Sequence, residues 1–247
     1  MSLTEKNIRE KNFHNTLHSE KKTRFENIFY KALFNLSNDF YDHLKKNIKN
    51  KDVLDYGCGI GIVTEKVFNY EPKNIIGIDI SDKSILIAKK RSEELNLDIK
   101  YQVQNCESTN MPSESFDIIY GSGILHHLDL VKSTTELNRL LKKNGSMVFI
   151  EPLGTNPLIN IYRKLTPGSR TVDEHPFRNK DFDFIKNTLG EISIKYYGFM
   201  SLIFFTFYKN PSKSLVFKIA TNLDNWIFKY KFFRFLAWSA LIIAKKN

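Results

Sequence analysis

The sequence predicts an α/β protein built on a Rossmann-like, doubly wound, mostly parallel sheet. Three observations lead there. Short apolar runs alternate with helix-period segments from Val53 onward. A glycine-rich turn, Gly57-Cys58-Gly59-Ile60-Gly61, joins the first run to the helix that follows it. Asp79 stands 20 residues past Gly59, where the second apolar run ends.

The elements follow in order. Residues 1–50 read as helices, with Phe25, Ile28, Phe29, Leu33 and Leu36 at helical spacing, and likewise Phe40, Tyr41 and Leu44. Residues 53–56 form the first strand, and the helix after the glycine turn runs to about residue 69. Residues 75–80 make the second strand, and Ser81 caps a helix that reaches 95. Strands follow at 99–104 and 116–120. A helix over 128–141 stops at Asn144-Gly145, and 147–150 is the fifth strand. The stretch 152–180, rich in Pro, Gly, Asn and Arg, predicts a long loop or short helices over a site. Strands at 192–197 and 239–245 complete a seven-stranded sheet. Between them, 199–235 reads as an inserted helical hairpin or cap that packs its aromatics inward. Three regions result: a helical lid over 1–50, a core over 51–151, and a loop, cap and last strands of the same domain over 152–247.

The 247 residues suffice for one domain with a full core. A hydrophobic content of 42%, with 13% aromatic, excludes disorder. Two cysteines, Cys58 and Cys106, exclude a disulfide framework and a cysteine zinc site, and no metal is expected. The net charge of +10 is uneven. Lys and Arg outnumber acids 11 to 6 in residues 1–51 and 15 to 6 in 152–247, but trail them 11 to 15 in 52–151. Basic flanks suit an anionic small molecule, a membrane surface or nucleic acid. Residues 5–22 are charged, without the apolar core of a signal peptide, and no uncharged run is long enough to span a bilayer. A cytoplasmic protein is expected.

The glycine turn lets a ligand approach the backbone, and a carboxylate at Asp79 suits the two hydroxyls of a ribose. The dinucleotide fingerprint requires a third glycine where Ile62 stands. Asp55 beside the turn repels a pyrophosphate and suits a ligand carrying an ammonium and a sulfonium. Both features weigh against a nicotinamide-dependent oxidoreductase.

With these blocks the chain resembles the class I S-adenosylmethionine-dependent methyltransferases. Val53-Leu54-Asp55-Tyr56-Gly57-Cys58-Gly59-Ile60-Gly61 is similar to the family's first motif, and residues 75–81 to its second. Asn105-Cys106-Glu107 resembles the third, with Asn105 where an Asp often accepts from the adenine amino group. Residues 116–128, ending in Leu125-His126-His127-Leu128, resemble the fourth-strand block. The resemblance spans about 40–151. It implies S-adenosylmethionine as donor and S-adenosylhomocysteine as product. The implied cofactor-binding set is Asp55, Gly57, Cys58, Gly59, Gly61, Asp79, Ile80, Asn105, Cys106, Glu107 and Gly121.

Methyl transfer from a sulfonium needs alignment and exclusion of water more than covalent help, though a hydroxyl nucleophile gains from a base. His127, His126 and Glu151, at the ends of the fourth and fifth strands, are the candidate catalytic groups. His14, Tyr162, Arg163, Arg170 and His175 are the candidate substrate-binding groups, the arginines for a phosphate or carboxylate. The first expectation is O-methylation of a small polar or anionic acceptor: a sugar, a phosphorylated metabolite or a cell-envelope precursor. The alternative is a lipid-like or quinone-like acceptor at a membrane surface, suggested by the aromatic and basic stretch 215–244. A nucleic-acid acceptor is the third reading. The lack of an Asn-Pro-Pro-Tyr block and of an appended RNA-binding module weighs against it.

Overall fold

The computed structural model describes residues 3–19, 28–166, 171 and 173–247. The strands are β1 (Asp52–Tyr56), β2 (Asn74–Asp79), β3 (Lys100–Val103), β4 (Phe116–Ser122), β5 (Leu141–Pro152), β6 (Gly190–Tyr197) and β7 (Ser239–Lys246). They form one sheet in the order β3-β2-β1-β4-β5-β7-β6. The first five are mutually parallel, while β7 runs antiparallel to both β5 and β6. The order reverses between β1 and β4, and ligands of open α/β sheets bind at such a switch, beyond the carboxyl ends of the strands.

The helices are α1 (Glu5–Ser19), α2 (Phe34–Asn47), α3 (Ile62–Phe68), α4 (Asp82–Glu94), α5 (Leu130–Leu140), α6 (Pro157–Leu165), α7 (Asn179–Leu189), α8 (Met200–Ile203) and α9 (Leu215–Ile227). Side chains alternate across the sheet and feed two cores. Val53, Ile118, Tyr120 and Val148 join Phe40, Leu44, Val67 and Ile85 on one face. Leu54, Ile119, Met147 and Phe149 join Leu137, Phe182 and Ile185 on the other. Local caps place the helix starts: Ser81 Oγ accepts from Ser84 N–H (3.0 Å), Asp129 Oδ1 from Lys132 N–H (3.1 Å), and Asn156 Oδ1 from Ile159 N–H (3.1 Å).

The stretch expected as a lid divides in two. Leu36, Phe40 and Leu44 of α2 are fully buried against the sheet, so α2 is a core helix. Helix α1 is mostly polar, with Ile8, Phe13 and Leu17 its only large apolar residues, and it lies across the carboxyl edge, against α4 and bonded to Asn105 and Ser81. The helical expectation for 20–27 lies outside the described residues. The predicted stop at Asn144-Gly145 is a correction. The helix ends at Leu140, and Asn144, at φ 62°, lies within β5 next to Gly145, whose added Cβ would meet Lys142 O at 2.9 Å. Tight backbone turning, rather than helix capping, explains that dipeptide.

The cap over 199–235 is also corrected in part. Tyr208, Phe217 and Phe228 are buried. Leu215, Ile219, Leu223 and Trp226, spaced along the opposite side of α9, are exposed, as are Phe207, Tyr230, Phe232, Phe233 and Phe235. Helix α9 is thus apolar on two sides, and only one is covered. No helix among the described residues is long and apolar enough to cross a membrane.

Candidate functional site

The glycine turn is pinned onto β2: the N–H groups of Gly57 and Cys58 both donate to Ile78 O, at 2.9 and 2.8 Å. Gly57, Gly59 and Gly61 all have positive φ (78°, 53° and 81°), but for different reasons. A Cβ on Gly57 would stand 2.5 Å from Ile124 Cγ1, and one on Gly61 2.5 Å from the Tyr101 hydroxyl. A Cβ on Gly59 would meet nothing within 4 Å. Gly57 and Gly61 serve packing, whereas the space over Gly59 is open. Gly121 is a packing glycine too, with Tyr56 O 2.7 Å and Phe149 Cε1 2.6 Å from its would-be Cβ.

Asp79 borders that open space. Its Oδ2 accepts from Gly59 N–H (2.9 Å) and its Oδ1 from Ser81 N–H (2.8 Å). Both oxygens are held in place, and each keeps acceptor capacity for a hydroxyl. Ile80 follows it, half-buried. Asp55 is only 3% exposed and lies beneath the turn, accepting from Thr64 Oγ1 at 2.7 Å. Burial pushes its carboxyl up to about 7, against the hydrogen bonds of Thr64 and Tyr120 and helped by the charge of Asp79. Burial likewise raises the thiols of Cys58 and Cys106 well above their ordinary value.

At the third block, Asn105 Oδ1 accepts from Glu107 N–H (2.9 Å) and its Nδ2 donates to Asn7 Oδ1 of α1 (3.3 Å). Glu107 Oε1 accepts from Asp129 N–H (2.7 Å), so it supports the start of α5. Cys106 contributes its carbonyl, which accepts from the Tyr56 hydroxyl.

Glu151, expected among the catalytic groups, is 0% exposed. Its Oε1 accepts from Ile124 and Leu125 N–H (3.1 and 2.8 Å), and its Oε2 from His126 N–H at 3.3 Å while lying 2.7 Å from His126 Nδ1. A fully buried carboxylate so occupied is fixed against the His126 ring by the backbone around it. His127 stands between two acids, Nδ1 3.2 Å from Glu10 Oε2 and Nε2 3.9 Å from Glu174 Oε1. Burial pushes the Glu10 carboxyl up. The hydrogen bond and charge of His127, the Thr171 hydroxyl and His14 outweigh burial and leave it below the ordinary carboxylate range. His14 Nε2 is 3.9 Å from Glu10 Oε2, and its ring is 5.8 Å from that of His127.

The remaining expected groups scatter. Arg163 donates Nη1 to Leu153 O (2.8 Å) and Asn160 Oδ1 (2.9 Å), so that nitrogen braces α6. Tyr162 packs edge-on to Phe29 at 5.6 Å. His175 is half exposed, with Nε2 3.6 Å from Asp181 Oδ2, and its N–H donates to His126 O. Arg170 lies outside the described residues. Sequence reasoning missed Asn7, Glu10 and Glu174. The signal for Glu10 was its place one helical turn before His14, and Glu174 directly precedes His175. An open cleft of about 440 Å³ is lined by Asp52, Asn74, Lys100 and Phe116, the first residues of β1 to β4. It is at the wrong end of the strands for this chemistry.

Residues 54–149 match the family model described as a methyltransferase domain. The fold, the switch point and this match agree. Residues 54–149 form a class I methyltransferase domain. The chain is 33% identical over 103 residues to a ubiquinone biosynthesis O-methyltransferase of Coxiella burnetii, covering 41% of its own length and 44% of that protein. It is 32% identical over 102 residues to a tRNA U34 carboxymethyltransferase of Campylobacter concisus, covering 41% and 35%. The chain therefore aligns with less than half the length of these relatives. The geranyl diphosphate C-methyltransferase of Streptomyces coelicolor, solved with S-adenosyl-L-homocysteine, has the same fold at a TM-score of 0.63 and 15% identity, covering 86% of this chain and 78% of that one.

Proposed function

We propose that this chain is an S-adenosylmethionine-dependent methyltransferase that methylates an oxygen of a lipid-like small acceptor at a membrane surface. The observation that carries the donor assignment is the open space over Gly59 beside the doubly anchored carboxylate of Asp79. When bound, the donor supplies an electrophilic methyl on a sulfonium. Asp79 would hold its ribose hydroxyls, the backbone of Gly59 would lie under its amino-acid part, and Asn105 would border its adenine. Helix α1 closes the edge above these groups through Asn7 on Asn105, Asn15 on Ser81 (2.6 Å) and Glu10 on His127, which excludes water.

The acceptor assignment rests on the exposed side of α9 and the turn after it. Trp226, at 57% exposure, and Phe232, at 77%, stand among exposed Lys218, Lys229 and Lys231. An apolar surface edged with lysines suits an anionic lipid surface. The matched relative named for ubiquinone biosynthesis agrees with a lipophilic acceptor. Support for an anionic polar acceptor weakens, because Arg163 Nη1 is engaged locally. The test is transfer of labelled methyl from S-adenosylmethionine to a panel of lipophilic phenols, sugar phosphates and unmodified tRNA. Label is expected in the phenols. Label confined to sugar phosphates or tRNA overturns the acceptor, and label nowhere with no donor bound overturns the enzyme.

A further inference from the structure

We infer that His126, His127 and Glu174 form a binding site for one divalent first-row transition metal, of the zinc or manganese class, at the acceptor side of the edge. The inference rests on the reading of the edge as a methyltransferase site and goes beyond it by naming what holds the acceptor's oxygen. One potential ligand atom from each of the three residues lies within 4.8 Å of the others. Two histidines and a carboxylate are a recurrent set for such ions, leaving further coordination positions open.

The surroundings carry the inference further than proximity. Metal-binding histidines regularly give their other ring nitrogen to a carboxylate, which fixes the tautomer and orients the ring. Both histidines have that partner here. His126 Nδ1 is 2.7 Å from Glu151 Oε2, and Glu151 is itself fixed by the backbone N–H groups of Ile124, Leu125 and His126. That leaves the lone pair of His126 at Nε2. His127 Nδ1 faces Glu10 Oε2 at 3.2 Å, which leaves Nε2 directed at Glu174, 3.9 Å away. The two rings lie against each other, centroids 4.1 Å apart. Glu10 and His127 are 5% and 4% exposed, so this pairing is shielded from water.

Donor atoms around a bound zinc ion stand roughly 3.3 Å apart, from bond lengths near 2.1 Å and a tetrahedral angle. From 3.9 Å between His127 Nε2 and Glu174 Oε1 and up to 4.8 Å within the set, the ligand atoms would close by roughly half an ångström to one and a half ångströms to meet that spacing. The acceptor class follows: a hydroxyl or phenol whose oxygen takes an open coordination position and releases its proton to water more readily there. No metal pattern stands in the sequence because the ligands come from the block after β4 and from residue 174, with an orienting acid on α1, far apart in the chain.

The test titrates Zn²⁺ into chelator-treated protein by calorimetry, and S-adenosylhomocysteine into the same preparation. The visible spectrum of added Co²⁺ reports coordination. One equivalent of Zn²⁺ is expected to bind. Glu174→Gln and His126→Ala should each weaken it at least tenfold and shift the Co²⁺ bands, with S-adenosylhomocysteine affinity unchanged in Glu174→Gln. No Zn²⁺ binding in a protein that still binds S-adenosylhomocysteine overturns the metal site and leaves the methyltransferase reading standing. Undiminished Zn²⁺ binding in both variants also overturns it. A wild type that fails to bind S-adenosylhomocysteine overturns the methyltransferase reading instead.

Discussion

On the donor half of the carboxyl edge, from β3 to β4, functional groups are fixed by backbone: Asp79 by two N–H groups, the glycine turn by Ile78 O, Asn105 by Glu107 N–H. On the acceptor half, beyond β4, they are fixed by other side chains from distant parts of the chain: Glu10 against His127, Glu151 against His126, Arg9 clamped by both oxygens of Asp173. Backbone-fixed groups need particular residues at particular spacings, so they leave motifs. Side-chain clusters need only proximity in the fold.

Gly121, which the motif reading placed among cofactor residues, packs the edge itself. Gly121→Val should destabilise the fold by about 3 kcal/mol, because the new side chain meets Tyr56 O and Phe149. Urea unfolding measures it, and a neutral result would move Gly121 back into the ligand space. Next is Asp79→Ala. Losing a charge-assisted hydrogen bond of about 1.5–3 kcal/mol should weaken S-adenosylhomocysteine roughly ten- to hundredfold while the fold survives. Equal affinity would remove Asp79 from the site.

The Asp55 carboxyl gives a smaller and pH-dependent effect. Its folded value, about 7, lies above its ordinary 3.8, so between these the folded state holds a proton that the unfolded state has lost. Stability contributed by this group is full below the ordinary value and falls as pH rises toward 7. Asp55→Asn should therefore remove about 1 kcal/mol of the loss in stability between pH 6 and 7, read by chemical unfolding at each pH. An unchanged slope would show that Asp55 is ionised when folded. Smallest in stability is the exposed side of α9. Ile219→Ser with Trp226→Ser should leave unfolding within about 0.5 kcal/mol, as surface changes do, yet reduce flotation with vesicles containing anionic lipid. Wild-type flotation by the double variant would separate this face from any membrane.

The succession of strands was legible because apolar runs and glycines report directly on backbone: Val53, Gly59 and Asp79 stand at the strand, turn and strand end that their spacing predicts. The role of each glycine was not legible, since Gly57, Gly59 and Gly61 look alike until Ile124 and Tyr101 arrive from elsewhere in the chain. The outward aromatics of 199–235 misled for a related reason. Composition says that Trp226 and Phe232 are apolar, not that the covered side of α9 is already filled by Phe217, Ala220 and Phe228. Arg163, chosen for its charge, is claimed by the carbonyl of Leu153, a partner that only the path of the chain after β5 reveals.

The most direct test of the donor assignment compares S-adenosylhomocysteine binding to the wild type and to Gly59→Ala by calorimetry. The added methyl meets no protein atom, so the variant should fold, losing only about 1–2 kcal/mol to the left-handed backbone at φ 53°. The wild type should bind one equivalent and Gly59→Ala should bind at least tenfold more weakly. No binding by the wild type, or equal binding by a folded Gly59→Ala, would contradict the placement of the donor over this turn.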